Sequence, residues 1–383
     1  MVTQRQIVEQ GHKLGFEDVG FTSADPFRDH ENLLIQLADE YDWADKVGLD
    51  LKNGVDPCSI LPTAKTIIVL IEPYFNKSYP AAMEAHFGRC YLDDDRVTKD
   101  GLAKRIKAFR QFLRDEGIES RVPFNLPHRV AAARAGLGTF GKNCLFYSNK
   151  AVGCGSWTLP IAVVIDKHFS PGTPSIKTDC PSWCKNACIA ACPTHALKGN
   201  SRIDPRKCIS YLTYFGDKIT PLALREPMGM YIYGCDRCQN VCPRNQPWLA
   251  RQLPVNERVA AKAKDFDLPL LLHMDNAYFE TKIWPHMFYM GSDTIWKWKM
   301  NVARVMGNSR DDAYLPDLER AFTENTDARV KGMAAWAMGR IGSTDTRSLL
   351  KKFAKNNTGT VFKEIELAIQ SLKNKTPEHG TDK

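Results

Sequence analysis

The stretch between Cys180 and Cys242 constrains this chain more than any other. It holds eight of the twelve cysteines in the 383 residues. The first run, Cys-Pro-Ser-Trp-Cys-Lys-Asn-Ala-Cys-Ile-Ala-Ala-Cys-Pro, supplies Cys180, Cys184, Cys188 and Cys192. Cys208 stands alone, and Cys-Asp-Arg-Cys-Gln-Asn-Val-Cys-Pro then supplies Cys235, Cys238 and Cys242. Each run closes on Cys-Pro, as bacterial ferredoxin runs do, where three near cysteines and one distant Cys-Pro cysteine hold a cubane. Eight thiolates match two 4Fe–4S clusters. In two-cluster ferredoxins the fourth cysteine of each run ligates the other cluster. That logic assigns Cys180, Cys184, Cys188 and Cys242 to one cluster, and Cys235, Cys238, Cys192 and Cys208 to the other. The first run has three-residue gaps where the ferredoxin run starts with two-residue gaps, a difference that loops can absorb because iron sets the ligand positions. Cys-x2-Cys spacing also suits zinc, but the paired Cys-Pro endings and the count of eight favour iron–sulfur. Cys58, Cys90, Cys144 and Cys154 have no motif spacing and read as small apolar residues or inert thiols.

A chain of this length forms two or three domains, each with its own core. The formal net charge of +8 permits a polyanionic partner without requiring one. The N-terminus lacks the apolar run of a signal peptide, and no apolar stretch approaches the roughly 18–20 residues that span a bilayer. A cytoplasmic, monomeric protein with no membrane association is expected, in a compartment where clustered cysteines bind metal or do redox work.

Along the chain, residues 2–14 read as a helix capped by Thr3, and residues 16–22 as a strand. A second helix is expected over 31–50. Thr66-Ile-Ile-Val-Leu-Ile-Glu-Pro73 is a β-branched run stopped by proline. Residues 101–117 form a basic amphipathic helix, 128–136 an Ala-rich helix, and 157–165 a second apolar strand. The N-terminal part, 1–168, is therefore an α/β or α+β domain. A Pro/Gly-rich linker leads into the cysteine domain, 169–250. From 265 to 373 the pattern is helical. It contains a weak repeat, Asn301-Val-Ala-Arg-Val-Met-Gly-Asn against Ala334-Ala-Trp-Ala-Met-Gly-Arg-Ile, at a spacing of about 32 residues, which suggests HEAT-like helix pairs. Residues 374–383 read as a disordered tail.

Three segments together resemble the epoxyqueuosine reductase family. The first is Cys-Pro-Thr-His-Ala-Leu197 with Ile203-Asp-Pro-Arg-Lys-Cys-Ile-Ser-Tyr-Leu-Thr213 and Tyr233-Gly-Cys-Asp-Arg-Cys-Gln-Asn-Val-Cys-Pro243. The others are Ala135-Gly-Leu-Gly-Thr-Phe-Gly-Lys-Asn143 with Gly155-Ser-Trp157, and the helical repeat segment. The resemblance implies a multidomain α+β protein. Its parts would be a nitroreductase-like, corrinoid-type N-terminal domain akin to that of reductive dehalogenases, a ferredoxin-like double-cluster domain and HEAT-like repeats. It implies cobalamin as a cofactor beside the two 4Fe–4S clusters, electrons from a ferredoxin or flavodoxin, and tRNA as the substrate carrier. Gly136, Gly138, Gly141, Lys142, Asn143, Tyr211 and Thr213 would line the corrinoid.

The resemblance breaks at one point. The family's proton-donating aspartate lies upstream of a Glu-Arg pair. Counting back from Gly136, that pair is His128-Arg129 here and the aspartate position is Val122, within Arg121-Val-Pro-Phe-Asn-Leu-Pro-His-Arg129. An arginine that the family carries near position 54 is also replaced, in Gly54-Val-Asp-Pro57. His128 and Tyr91, the latter with Asp93 or Asp94 beside it, are the candidate catalytic replacements, although the three-acid run at 93–95 reads more simply as a solvated loop. Trp296-Lys-Trp-Lys299 suits either nucleic acid or a buried stripe. The expected function is a cobalamin- and iron–sulfur-dependent reductase whose substrate is not epoxyqueuosine. The alternatives are a tRNA epoxyqueuosine reductase with a rearranged proton donor, or a non-catalytic electron-transfer protein.

Overall fold

The computed structural model describes residues 2–199, 201–287, 289–342 and 344–373; the expected tail at 374–383 lies outside them. The chain divides into two compact units whose segments alternate along it. Met1–Ser78, Thr98–Cys208 and Asp236–Val255 make the first, and Tyr79–Val97, Ile209–Cys235 and Asn256–Lys383 the second. These units cut across the consecutive blocks suggested by the sequence.

The first unit is built on a four-stranded sheet of β1 (Asp18–Ser23), β2 (Thr66–Pro73), β3 (Ser120–Arg121) and, later in the chain, Thr158–Ile165, in the order β1, β2, Thr158–Ile165, β3. Every neighbour is antiparallel. β2 is buried along its whole length; its β-branched residues cover both faces, as a central strand requires. Helix α1 (Gln4–Lys13) starts in a capping box in which Thr3 and Gln6 satisfy each other's backbone amides. With a longer helix over Leu102–Asp115 it covers one face, burying Ile7, Phe109 and Leu113 against Ile68, Leu70 and Val163. The helix expected over 31–50 is instead two, α2 (Arg28–Gln36) and α3 (Ala38–Lys46), broken at Leu37 with ψ of 22°. Neither glycine nor proline marks that break. The Leu102–Asp115 helix is α4, and α5 (His128–Arg134) follows it. Buried Ala131, Ala132 and Ala133 let α5 lie close on the sheet. A hairpin of β4 (Gly138–Phe140) and β5 (Phe146–Ser148) carries the chain on to the last sheet strand, β6 (Thr158–Ile165).

The second unit opens its share of the cysteine region with α6 (Ile209–Tyr214). It continues in α7 (Ile295–Ser309), α8 (Leu315–Glu324), α9 (Ala328–Ile341), α10 (Thr344–Lys355) and α11 (Gly359–Lys373). α7 packs on α9, and α9 on α11. The same device brings both pairs together. A Cβ on Gly307 would lie 2.8 Å from the Ala337 Cα, and one on Gly339 would lie 2.7 Å from the Ala368 Cα. Only glycine permits so close an approach, and these two glycines, 32 positions apart, are the repeat visible in the sequence. Arg225 is buried and forms a two-pronged ion pair with Glu364 at 2.6 and 2.7 Å, tying the segment before Cys235 to α11. Among the described residues no helix is long and apolar enough to cross a membrane.

Candidate metal centre

Cys180, Cys184, Cys188 and Cys242 line one cavity in the first unit, although they come from segments more than fifty residues apart. This is the set that the crossed ferredoxin pattern assigns to one cluster. No group of three or more His, Cys, Asp or Glu side chains among the described residues converges as the ligands of a single ion do. The four cysteines share the lining of one cavity instead.

The cavity wall supplies hydrogen bonds to sulfur. The Tyr147 hydroxyl donates to Cys242 Sγ at 3.0 Å and the Lys142 amide to Cys180 Sγ at 3.4 Å. The Asn143 side chain, buried, donates to Tyr147 Oη at 2.9 Å and so orients that hydroxyl. The Arg244 guanidinium lies 4.4 Å over the Tyr147 ring and donates to Thr139 Oγ1 and the Asp179 carbonyl. Burial, and next the charges of Cys242, Cys180 and Cys184, push the Cys188 thiol up to about 11. Four thiolates cannot ionise together in such a space without a positive group among them; iron would supply it. Elsewhere in the first unit the Ala196 amide donates to Cys192 Sγ at 3.3 Å. A buried network of Ser156, Gln239 and Asn245 fastens the second cysteine run beside the sheet.

The Gly-Leu-Gly segment contributes to this wall. Gly141, Lys142 and Asn143 line the cysteine cavity. The space that a Cβ would need at Gly136, Gly138 and Gly141 is taken by the Thr173 carbonyl, by the Tyr147 carbonyl with the Phe146 ring, and by Asn143 with Tyr147, respectively. These glycines serve contacts within the chain. In the second unit, Thr213 is buried; its hydroxyl donates to the Ser210 carbonyl and accepts from the Gly234 amide. Tyr211 packs against Ile209, Leu212 and Met228. Each of these residues is engaged by neighbours within its own unit.

The catalytic candidates His128 and Tyr91 are likewise engaged by neighbours. The Ala162 amide donates to His128 Nδ1 at 2.8 Å, so the proton sits on Nε2, which donates to the Pro123 carbonyl at 2.9 Å. Both ring nitrogens are used in pinning the 121–127 loop to β6, and burial pushes the imidazole down to about 4. His128 is a neutral structural pin, with no free lone pair for a metal or proton. Tyr91 shares a 3.0 Å hydrogen bond with Tyr214 and packs edge-on against Tyr233. Burial pushes its phenol well up, the wrong direction for a proton donor at neutral pH. The acidic run is not a solvated loop: Asp94 and Asp95 are buried, and Asp93 accepts from Asn256 and Arg258. Trp298 is core, stacked on Tyr233 at 5.4 Å. Trp296 lies under the Arg329 guanidinium.

Comparison with known proteins agrees with the cysteine geometry. Residues 180–245 match the model of the 4Fe-4S double cluster binding domain, and residues 291–372 match HEAT repeats. The chain is 28% identical over 384 residues to the epoxyqueuosine reductase of Bacillus subtilis, covering 97% of this chain and 96% of that one. It is 30% identical over 324 residues to the epoxyqueuosine reductase of Vibrio cholerae, covering 79% of this chain and 83% of that one. The chain belongs to the epoxyqueuosine reductase family. It is an oxidoreductase with a double-cluster domain. A solved epoxyqueuosine reductase from Bacillus subtilis, with its catalytic aspartate loop swung out of the active site, superposes with a TM-score of 0.81 at 27% identity, over 96% of this chain and 98% of that one. Another, bound to an epoxyqueuosine-modified tRNA stem loop, superposes with a TM-score of 0.78 at 27% identity, over 97% and 98%.

Sequence reasoning missed Tyr147 and Arg244, which follow the two cysteine-cavity segments without any motif of their own. The His128 pin also has a measurable consequence. Its folded pKa of about 4 lies below the ordinary 6.5, so between those values the unfolded chain takes up a proton that the folded chain refuses. Stability from this group is full above about pH 6.5 and is lost as pH falls toward 4. A His128→Gln variant keeps one donor and one acceptor but cannot titrate. Thermal scans should show its loss of stability between about pH 7 and pH 4.5 to be smaller than that of the parent, by on the order of 1 kcal/mol; equal losses would refute the assignment.

Proposed function

We propose that this chain is an iron–sulfur reductase that takes electrons from a small carrier protein and delivers them to a substrate other than epoxyqueuosine. The eight cysteines from Cys180 to Cys242 would hold two 4Fe–4S clusters, which supply one-electron storage and transfer when bound. The cavity of Cys180, Cys184, Cys188 and Cys242, with its N–H and O–H donors to sulfur, supports that assignment.

The observation that carries the substrate reading is the loop at 121–127. It contains no Asp or Glu. It is held from several sides: His128 binds the Pro123 carbonyl, the Asn125 amide binds the Asp50 carbonyl at 2.9 Å, and Gly54 presses on the Asn125 carbonyl, where a Cβ would lie at 2.1 Å. Val122 packs against the sheet core. A carboxyl that donates a proton in this place has been exchanged for an apolar anchor. The corrinoid implied by the family enters no step of this reading, which rests on the clusters alone.

A second reading, tRNA epoxyqueuosine reduction with a different proton donor, is favoured by the near full-length similarity to epoxyqueuosine reductases and to one solved with its tRNA stem loop. Expression in bacteria that lack their own epoxyqueuosine reductase separates the two. The first reading expects epoxyqueuosine to persist in tRNA; restored queuosine would establish the second.

The donor protein would meet the cavity at Trp183. This side chain lies between Cys180 and Cys184, is 68% exposed, and is followed two positions on by Lys185. An exposed indole next to a cation suits an acidic one-electron carrier of the ferredoxin or flavodoxin class. Trp183→Ala should slow cluster reduction by such a carrier about fivefold or more, equivalent to about 1 kcal/mol of docking, while dithionite reduces it at the parent rate. Equal rates with the carrier would remove Trp183 from the docking surface.

A further inference from the structure

The hydroxyl of Tyr147 has only one direction open to its proton. Tyr147 lies on β5 and is buried. Its oxygen accepts from the Asn143 side-chain nitrogen at 2.9 Å. The orientation of that carboxamide is fixed from both ends. Its oxygen accepts the Leu145 amide at 3.3 Å, and its nitrogen also donates to the Cys238 carbonyl at 3.4 Å. A carboxamide nitrogen donates and cannot accept. The single phenolic proton is therefore directed to Cys242 Sγ, 3.0 Å away. Gly141 makes the arrangement possible, because a Cβ there would lie 2.6 Å from both the Asn143 oxygen and the Tyr147 ring. Cys242 is the one cysteine of this cavity that comes from the second run. The hydrogen bond thus reaches the ligand that the first run does not supply.

Arg244 strengthens the donor. Its guanidinium lies 4.4 Å over the Tyr147 ring. It is held there by Thr139, the cross-strand partner of Tyr147, and by the Asp179 carbonyl. A cation over a phenol is attracted by the ring's π electrons and draws density from the oxygen, which makes the O–H a better donor. The partners of Arg244 are a hydroxyl, a carbonyl and a ring, none of them acidic. The other cation lining the cavity, Lys142, donates to the neutral Asn186 side chain at 2.7 Å. Among the described residues, no Asp or Glu lines the cavity. Two cations and an O–H donor therefore stand beside four sulfurs, all within the first unit, and each favours negative charge on those sulfurs.

We propose that Tyr147, fixed by Asn143 and backed by Arg244, raises the reduction potential of the cluster held by Cys180, Cys184, Cys188 and Cys242. Reduction adds one electron from the small carrier, and part of that charge falls on sulfur. A donor to sulfur then stabilises the reduced state more than the oxidised one. This rests on the assignment of those four cysteines as cluster ligands.

The test uses full-length protein purified without oxygen, with iron analysis, potentiometric EPR and proton ENDOR of the reduced protein. Tyr147→Phe removes the hydroxyl and keeps the ring. It should retain about eight iron per chain. One of its two potentials should become more negative by about tenfold in the reduction equilibrium, ~59 mV for one electron, while the other stays in place. The reduced parent should show a coupled proton that exchanges in D2O and is missing from Tyr147→Phe. Arg244→Met should move the same potential in the same direction, and Arg244→Lys, which keeps a cation, should restore most of that shift. A merely structural Tyr147 would leave the potentials where they are. Both potentials unmoved in Tyr147→Phe overturn the proposal, as does an equal shift of both. If Tyr147→Phe loses its clusters, Arg244→Met decides by the same criterion. A reduced parent without any coupled exchangeable proton overturns the proposal whatever the variants do. A parent protein with no 4Fe–4S signal would instead defeat the ligand assignment beneath it.

Discussion

Four thiols enclosed in one cavity repel one another as soon as they ionise, and the first unit is arranged around that constraint. A sheet strand buried on both faces and a short hairpin hold Tyr147, Asn143 and the Lys142 amide at the cavity wall. Each directs a donor, or orients one, toward sulfur. Such donors, and the positive metal they surround, make adjacent thiolates tolerable; hydrogen bonds to sulfur and local charge are also what set a cluster's potential. The structure thus combines four thiols and donors to sulfur in one cavity.

Much of this was legible in the sequence, for identifiable reasons. Cysteine spacing is a direct record of ligand geometry, so Cys180, Cys184, Cys188 and Cys242 could be grouped before the fold was known. The β-branched run at Thr66–Pro73 and the Met-Gly repeat at Gly307 and Gly339 each report a local packing requirement. What did not show were roles that depend on how distant segments meet. His128 looked like a free imidazole, because nothing in the sequence indicates that Pro123 and Ala162 occupy both of its nitrogens. The glycines of 136–141 suggested a ligand cradle, yet the missing Cβ atoms make room for the chain's own carbonyls and rings. Tyr147 had no motif at all. The break at Leu37 has no residue that announces it.

The loop at 121–127 carries no acidic side chain. The sheet, the double-cluster domain and the repeats are retained over nearly the whole chain, and Val122 packs against the core. The loop is held by His128 and Gly54 at its backbone and by the Asp50 carbonyl, which accepts from the Asn125 side-chain amide. On the proposed function the clusters supply the electrons, and the proton would come from the substrate, from water or from another group.

The account depends on iron at the cysteines, and the most direct measurement is Mössbauer spectroscopy with metal and sulfide analysis of the anaerobically purified, iron-57-enriched protein. Two 4Fe–4S clusters, with about eight iron and about eight sulfide per chain, are the predicted result. Stoichiometric zinc without sulfide would contradict it, and with it every redox role assigned to this chain.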